Sequence, residues 1–412
     1  MSSPANILFI MSDQHHPRMT GYRGHPHVQT PHLDRLAREG AHFTQACCTN
    51  PICTPSRMSM ITGQYTHRIG VPNNGFPLDR DIMTWPRRLD RAGVEATMLG
   101  KLDLCGEYQD AGFTRHRIIR RRPVHPAMSA EPPYRLTEPF RERLPGASRF
   151  WRPVSRALRH AGPRTSQILC RERFITNEVD GENDDFIGNY DHDIIVTDWA
   201  VDYLREKGAA AQAGQSMQPW ALYVGLILPH EPFTIPAEYY DRLFFKKCSY
   251  EGSVGVPLAM RGPGIPAGTR IEAPVDLVDV YPTLLDAVGI APEPNLPGAS
   301  WLPLLRGERP PARDFAFAEY HGYFVNHDWF MVVHDDLKYT WYSDGERPTL
   351  FDLAVDPREM HDVAADPAYA SRLQACHKRL LSVCDPEAES RRAKEQLGLV
   401  GPDGRPLAEG VV

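Results

Sequence analysis

The chain predicts an α/β fold: a mostly parallel central sheet with helices on both faces, then a smaller C-terminal α+β subdomain with an antiparallel sheet. Three observations lead there. The continuous apolar runs in "ANILFIMSDQ" and "PWALYVGLIL" read as strands buried on both faces, the mark of a parallel sheet. Helices with clear start and stop signals alternate with such runs. Beyond about residue 305 the texture changes to runs separated by turn residues, as in antiparallel strands.

The first strand ends in Asp13-Gln14, placed at a strand's C-terminal edge, where open α/β sheets bind ligands. "TPHLDRLAREG" follows, with a Thr cap, Pro in the first turn and Gly after the end, so it reads as a helix. "SRMSMITG" is a second helix, stopped by Gly63, and "TWPRRLDRAG" a third, followed by the strand "VEATMLG". Residues 115–190 are basic, Pro-containing and weakly periodic, and read as an insertion that could line a site. "IIVTDWAVDYLREKG" is an amphipathic helix, "PWALYVGLIL" a buried strand ending in "PHEPF", and "VPLAMRGPG" a short strand. "PVDLVDVYPTLLDAVGI" carries apolar residues at helical spacing. In the C-terminal part, "FAFAEYHGYF", "WFMVVHDDLKYTWYS" and "PTLFDLAVDP" read as strands and "AYASRLQACHKRLLSV" as a helix. The expected division is an α/β domain over 1–305, a subdomain over 306–386 and a loosely held tail over 387–412.

Bulk properties remove several function classes. A net charge of −6 gives 412 residues no global pull toward nucleic acid or an anionic membrane. The basic run "RHRIIRRRPVHP" reads as a solvated face that could also attract an anionic substrate. No apolar run approaches the roughly 18 residues of a membrane span. "ILFIM" is too short for a signal peptide's apolar core, so a cytoplasmic location is expected. Eight scattered cysteines without a CxxC pair favour reduced thiols.

Cys53 stands where a helix begins, with Pro55 inside its first turn and Arg57 one turn on. Free N–H groups and partial positive charge at such a site lower a thiol pKa and hold anions. An arginine there could brace an oxyanion with two parallel hydrogen bonds.

The motif Cys53-Thr54-Pro55-Ser56-Arg57 resembles the signature of the sulfatase family, in the alkaline-phosphatase-like superfamily. The likeness extends, in the family's order, through "NILFIMSDQ", "TPHLDRLAREGAHFTQACCTNPICTPSRMSMITGQYTHRIGV", "LGKLDLCG", "LPHEPFTIPAEYYD", "YEGSVGVPLAMRGPGI", "VDLVDVYPTLLDAVGI" and "LFDLAVDPREMHDVA". The resemblance implies that Cys53 is oxidised to formylglycine, whose hydrate attacks sulfur with one hydroxyl and expels sulfate with the other. It implies a small-molecule sulfate ester as substrate and a formylglycine-generating enzyme as partner. Asp13, Gln14 and the converted Cys53 match metal-binding positions; oxygen ligands suit Ca²⁺, with Mg²⁺ or Mn²⁺ as alternatives. Arg57 matches a supporting position, Lys101 a lysine at the nucleophile or sulfate, and His230 and Lys246 sulfate contacts. Gln14 occurs in a choline-sulfatase or phosphonate-hydrolase-like branch, so a phosphonate or phosphate ester hydrolase stays open. Asp103 stands where many sulfatases have His, an anion beside the place of an anionic substrate.

One family segment is missing. "PAEYYDRL" is followed directly by "FFKKCSYEGS", and the helix, strand and Asp-His-Gly or Asp-Asn-Gly loop that belong near 243–244 are absent. That loop completes the family's metal site. Its loss predicts weakened metal binding, an unpaired strand edge or a closed-up sheet, and a third reading, a catalytically impaired remnant. Asp191-His192 and "SDGE" at 343–346 offer similar residues in the wrong places.

Overall fold

The N-terminal apolar run forms β1 (Ile7–Met11), and its neighbour in space comes from far along the chain. This is seen in a computed structural model that describes residues 5–104, 110–118, 189–230, 248–308, 312–321, 327–343, 345–398 and 400. Most of the 115–190 insertion and Lys246 lie outside the described residues.

β4 (Glu95–Gly100), β5 (Arg115–Arg117) and β6 (Trp220–Gly225) complete a parallel sheet in the order β1-β6-β4-β5. Register partners in a sheet share a face. Ile7, Ala221 and Ala96 lie side by side, as do Phe9, Tyr223 and Met98. That face packs into the main core with α2 (Cys53–Thr62) and α4 (Trp85–Arg91). On the other face Leu222, Val224 and Leu99 pack under Val196, Ala200 and Tyr203 of α5 (Asn189–Gln212). No described helix is long and apolar enough to cross a membrane.

Smaller sheets flank the site. β2 (Ala41–Phe43) lies between β7 (Leu258–Met260), antiparallel, and β8 (Thr269–Ile271), parallel. β3 (Ala46–Cys47) pairs with β9 (Val275–Asp276). Two short helices, α1 (Pro31–Glu39) and α3 (Thr66–Ile69), connect these parts. The helical spacing read over 274–290 is only partly realised. Val275 and Asp276 form β9, Asp276 caps the tight turn Leu277–Asp279, and the helix α7 runs over Val280–Ala287.

After α6 (Glu251–Val254) and α8 (Leu302–Leu305) the chain enters an antiparallel meander. Its strands are β10 (Phe315–Tyr320), β11 (Trp329–His334), β12 (Leu337–Tyr342) and β13 (Thr349–Asp352). α9 (Ala370–Leu381) packs Cys376 and Leu380 on it. The expectation of a loose tail over 387–412 is corrected for 387–396, while 401–412 lie outside the described residues. α10 (Pro386–Gln396) is capped by Asp385, buries Ser390 and Ala393, and ties Ser390 Oγ to Asp328 at 2.6 Å. Proline in the first turn and an Asp cap are the signals that reading passed over.

Nothing among the described residues pairs with the outer edge of β1. Leu8 and Ile10, on the face that α5 covers elsewhere, are 46% and 58% exposed. This is the geometry expected where a neighbouring strand and its covering helix are missing.

Candidate active site

The site gathers at the C-terminal ends of β1, β4 and β6, against the N-terminus of α2, the place where parallel sheets present ligand groups. Asp13 and Gln14 follow β1, Lys101 follows β4, and His230 lies five residues beyond β6. The strand ends are locked together: Lys101 N–H donates to Gly225 O at 2.8 Å, and Leu226 N–H to Met11 O at 2.8 Å. Gly225 is needed there, because a Cβ would sit 1.9 Å from Lys101 O. Asp193 of α5 accepts from Ile227 N–H and Leu228 N–H, both at 2.8 Å, and so holds the segment leading to His230. His192 bonds Asp193 at 2.8 Å, and Ser343 Oγ accepts from Asp328 N–H, so both serve structural bonds.

Cys53 is the first residue of α2, whose remaining residues are all buried. The helix is therefore held from every side and its first residue is fixed in space. The first-turn amides are not all free, as the sequence reading supposed. Thr54 N–H donates to Asn74 Oδ1 at 3.1 Å, and Ser56 N–H to Ile52 O at 3.0 Å.

Three charged side chains converge at this helix end. Asp13, 6% exposed, accepts from Lys101 Nζ at 2.8 Å and from Arg57 at 3.1 Å. Cys53 Sγ lies 4.0 Å from Asp13 Oδ1 and 4.0 Å from Lys101 Nζ. Arg57 is 1% exposed and commits its other amine to Lys101 O at 2.9 Å and Tyr223 Oη at 2.7 Å. Its fork is thus used inside the protein. Arg57 braces Asp13 and the Lys101 backbone, and the expected bidentate grip on an oxyanion is corrected. Tyr223, which the sequence reading missed, also donates to Lys101 O at 3.1 Å. Its only sequence signal is its place in an apolar strand.

Asp103 does not point away. Its carboxylate lies 2.9 Å from Lys101 Nζ, and its backbone has φ 55, a left-handed conformation that Asp tolerates better than most residues. Burial alone would lower the Lys101 pKa, but Asp103, Cys53 and Asp13 outweigh it and raise it above the usual lysine value. Lys101 therefore stays charged at neutral pH.

One ligand atom each of Asp13, Cys53 and His230 lie within 4.8 Å of one another. Next in the chain after Asp13, both polar atoms of the Gln14 amide are buried without a hydrogen-bond partner, on a backbone with φ 58. A buried amide oxygen without a partner, on the residue that follows Asp13 in the chain, is of the type a hard cation accepts. The group fits a divalent ion, though with one carboxylate where Ca²⁺ takes roughly six to eight oxygens, so water must supply much of the shell. Lys246 lies outside the described residues. Of the other six residues singled out from sequence, all stand at this end of the sheet.

A family model described as Sulfatase matches residues 5–249, and one described as "N-sulphoglucosamine sulphohydrolase, C-terminal" matches 239–385. Arylsulfatase K of Gallus gallus is 26% identical, over 93% of this chain and 83% of the relative. Arylsulfatase K of Homo sapiens is 28% identical, over 87% and 78%. The Gallus gallus alignment runs over 497 positions, more than the 412 residues of this chain, so the relative carries stretches without a counterpart here. Among solved structures, the phosphonate monoester hydrolase of Agrobacterium radiobacter has the same fold, with TM-score 0.65 and 19% identity over 98% of this chain and 100% of that one. A 2-O GAG sulfatase matches at TM-score 0.65 and 19% identity, over 99% of each chain.

Proposed function

The chain belongs to the sulfatase family, hydrolases acting on sulfuric esters, and from that premise we propose that it cleaves a small-molecule sulfate ester with a formylglycine made from Cys53. The observation that carries this reading is the position of Cys53 Sγ, 4.0 Å from both Asp13 and Lys101 at the start of a buried helix. In the converted protein the sulfur gives way to the hydrate oxygens of the aldehyde, so Sγ marks where the attacking hydroxyl stands.

One hydroxyl forms a bond to sulfur as the ester oxygen leaves with a proton as the alcohol. The second hydroxyl then gives up its proton, the C–O bond to sulfate breaks, and the aldehyde returns to be hydrated again. Lys101 meets the charge that develops at the nucleophile, while Arg57 holds Asp13 and the Lys101 backbone in place. His230 and Lys246 are assigned to the sulfate group. Asp13, Gln14 and the converted Cys53 would hold a divalent ion, Ca²⁺ first among the choices and Mg²⁺ or Mn²⁺ after it. Such an ion supplies charge that makes the attacking hydroxyl more acidic.

The neutral Gln14 and the Asp103 carboxylate give a second reading, hydrolysis of a phosphonate or phosphate ester by the same nucleophile. The test is production of the chain with a formylglycine-generating enzyme, mass spectrometry of the Cys53 peptide, and turnover of an aryl sulfate beside an aryl phosphonate. Aldehyde with faster sulfate turnover supports the first reading; faster phosphonate turnover supports the second. Aldehyde without any turnover leaves an impaired remnant and contradicts both.

A further inference from the structure

We infer that the Lys101 ammonium is the resident counter-ion of Asp13, and that Asp103 is the seat onto which it withdraws when a divalent ion takes Asp13. This rests on the proposed metal dependence of the site. Lys101 Nζ stands between two carboxylates, 2.8 Å from Asp13 Oδ2 and 2.9 Å from Asp103 Oδ2. The two seats differ in depth. The Asp13 side chain is 7% exposed, whereas that of Asp103 is 35% exposed.

The charges decide the argument. The carboxylates of Asp13 and Asp103 are matched by the two cations Lys101 and Arg57. An ion arriving at Asp13 brings two positive charges to a carboxylate already facing two cations. Arg57 cannot retreat, since it is 1% exposed and also bonded to Lys101 O and Tyr223 Oη. Lys101 has a flexible stem and a second anion in reach, so it is the group that moves. Asp103 is built for the purpose. Thr54 Oγ1, next to Cys53 on α2, donates to Asp103 O at 2.9 Å and fixes its left-handed backbone. The residue that departs from the expected histidine thus acquires a role: it neutralises the lysine that the ion displaces.

Calorimetric titration of the full chain carrying formylglycine at position 53, with Ca²⁺ and with Mn²⁺, tests this. Lys101→Met is expected to bind either ion about tenfold more tightly than wild type, and Asp103→Asn several-fold more weakly, within the usual range of site couplings of about 5- to 150-fold. In the Lys101→Met background, Asp103→Asn should add little, because its effect runs through the lysine. Equal or weaker binding by Lys101→Met overturns the inference. So does an undiminished Asp103→Asn effect in that background, which would make Asp103 a ligand. If neither wild type nor Lys101→Met binds an ion, the metal reading itself fails and takes this inference with it. Circular dichroism checks each fold. Should Lys101→Met not fold, the ε-carbon NMR resonance of Lys101 in the wild-type chain, assigned through Lys101→Arg, reads the same event. It should shift as Ca²⁺ is added, and a resonance unmoved by bound ion overturns the proposal.

Discussion

Arg57 shows how much of this site is support for other residues. Its side chain touches Asp13, the Lys101 carbonyl and Tyr223, and almost no solvent. Arg57→Met leaves Asp13 with one cation and the Lys101 carbonyl with fewer donors. We expect a loss of about 3 kcal/mol in stability, read from urea unfolding; a change under about 0.5 kcal/mol would show that the brace is not energetically coupled to the fold. A second residue far from the site sets a pH dependence. His321 is 1% exposed, bonds Glu319 at 3.1 Å, and faces Asp328 at 3.7 Å, a charge contact rather than a hydrogen bond. Burial alone would depress its pKa, but Asp328 and Glu319 outweigh it and push it up to about 9. The folded state thus favours protonated His321. That stabilisation is complete below the usual value of 6.5 and is lost as pH rises through about 9. Thermal midpoints should fall between those limits, by up to about 3 kcal/mol in stability, and His321→Gln should flatten the slope. A flat wild-type profile would contradict the assignment. None of this network was legible in the sequence, because Glu319 and His321 read only as residues of a strand and their partners come from α3 and the segment before β11.

Elements with strong local signals were read correctly. β1, α1, α2, α4, β4, β6 and the C-terminal meander all lie where apolar runs, caps and glycine stops put them. The readings that failed did so where local pattern met tertiary demand. The helical spacing over 274–290 yielded Val275 and Asp276 to β9, because β3 offers a strand edge there. Arg57 was read as an oxyanion brace and as a support for Cys53; its fork turns instead to Asp13, Lys101 O and Tyr223, at and beyond the ends of β1, β4 and β6, which no local pattern encodes. At β1, Leu8 and Ile10 stand exposed on a sheet face that α5 covers only over β4 and β6. Replacing both by polar residues, as Leu8→Thr with Ile10→Thr, should cost at most about 0.5 kcal/mol, the range of surface changes. It should also reduce self-association seen by light scattering, since an open apolar edge is a template for pairing. A large loss of stability would show that this face is buried against another part of the chain.

At the scale of the whole molecule, the strands bring residues from positions 13, 53, 101 and 230 to one end of a sheet, and order along the chain was enough to foresee that meeting. What order could not reveal is the state of charge inside the site. The described site holds a lysine between two carboxylates, 2.8 Å from Asp13 and 2.9 Å from Asp103. The central claim is sulfate-ester hydrolysis through Cys53. It is tested most directly by comparing aryl sulfate turnover of the chain carrying formylglycine with that of Cys53→Ala, made in the same host and assayed with and without added Ca²⁺. The account predicts turnover that rises with the ion and disappears in Cys53→Ala. Turnover that survives in Cys53→Ala, or none in a chain shown by mass spectrometry to carry the aldehyde, would contradict it.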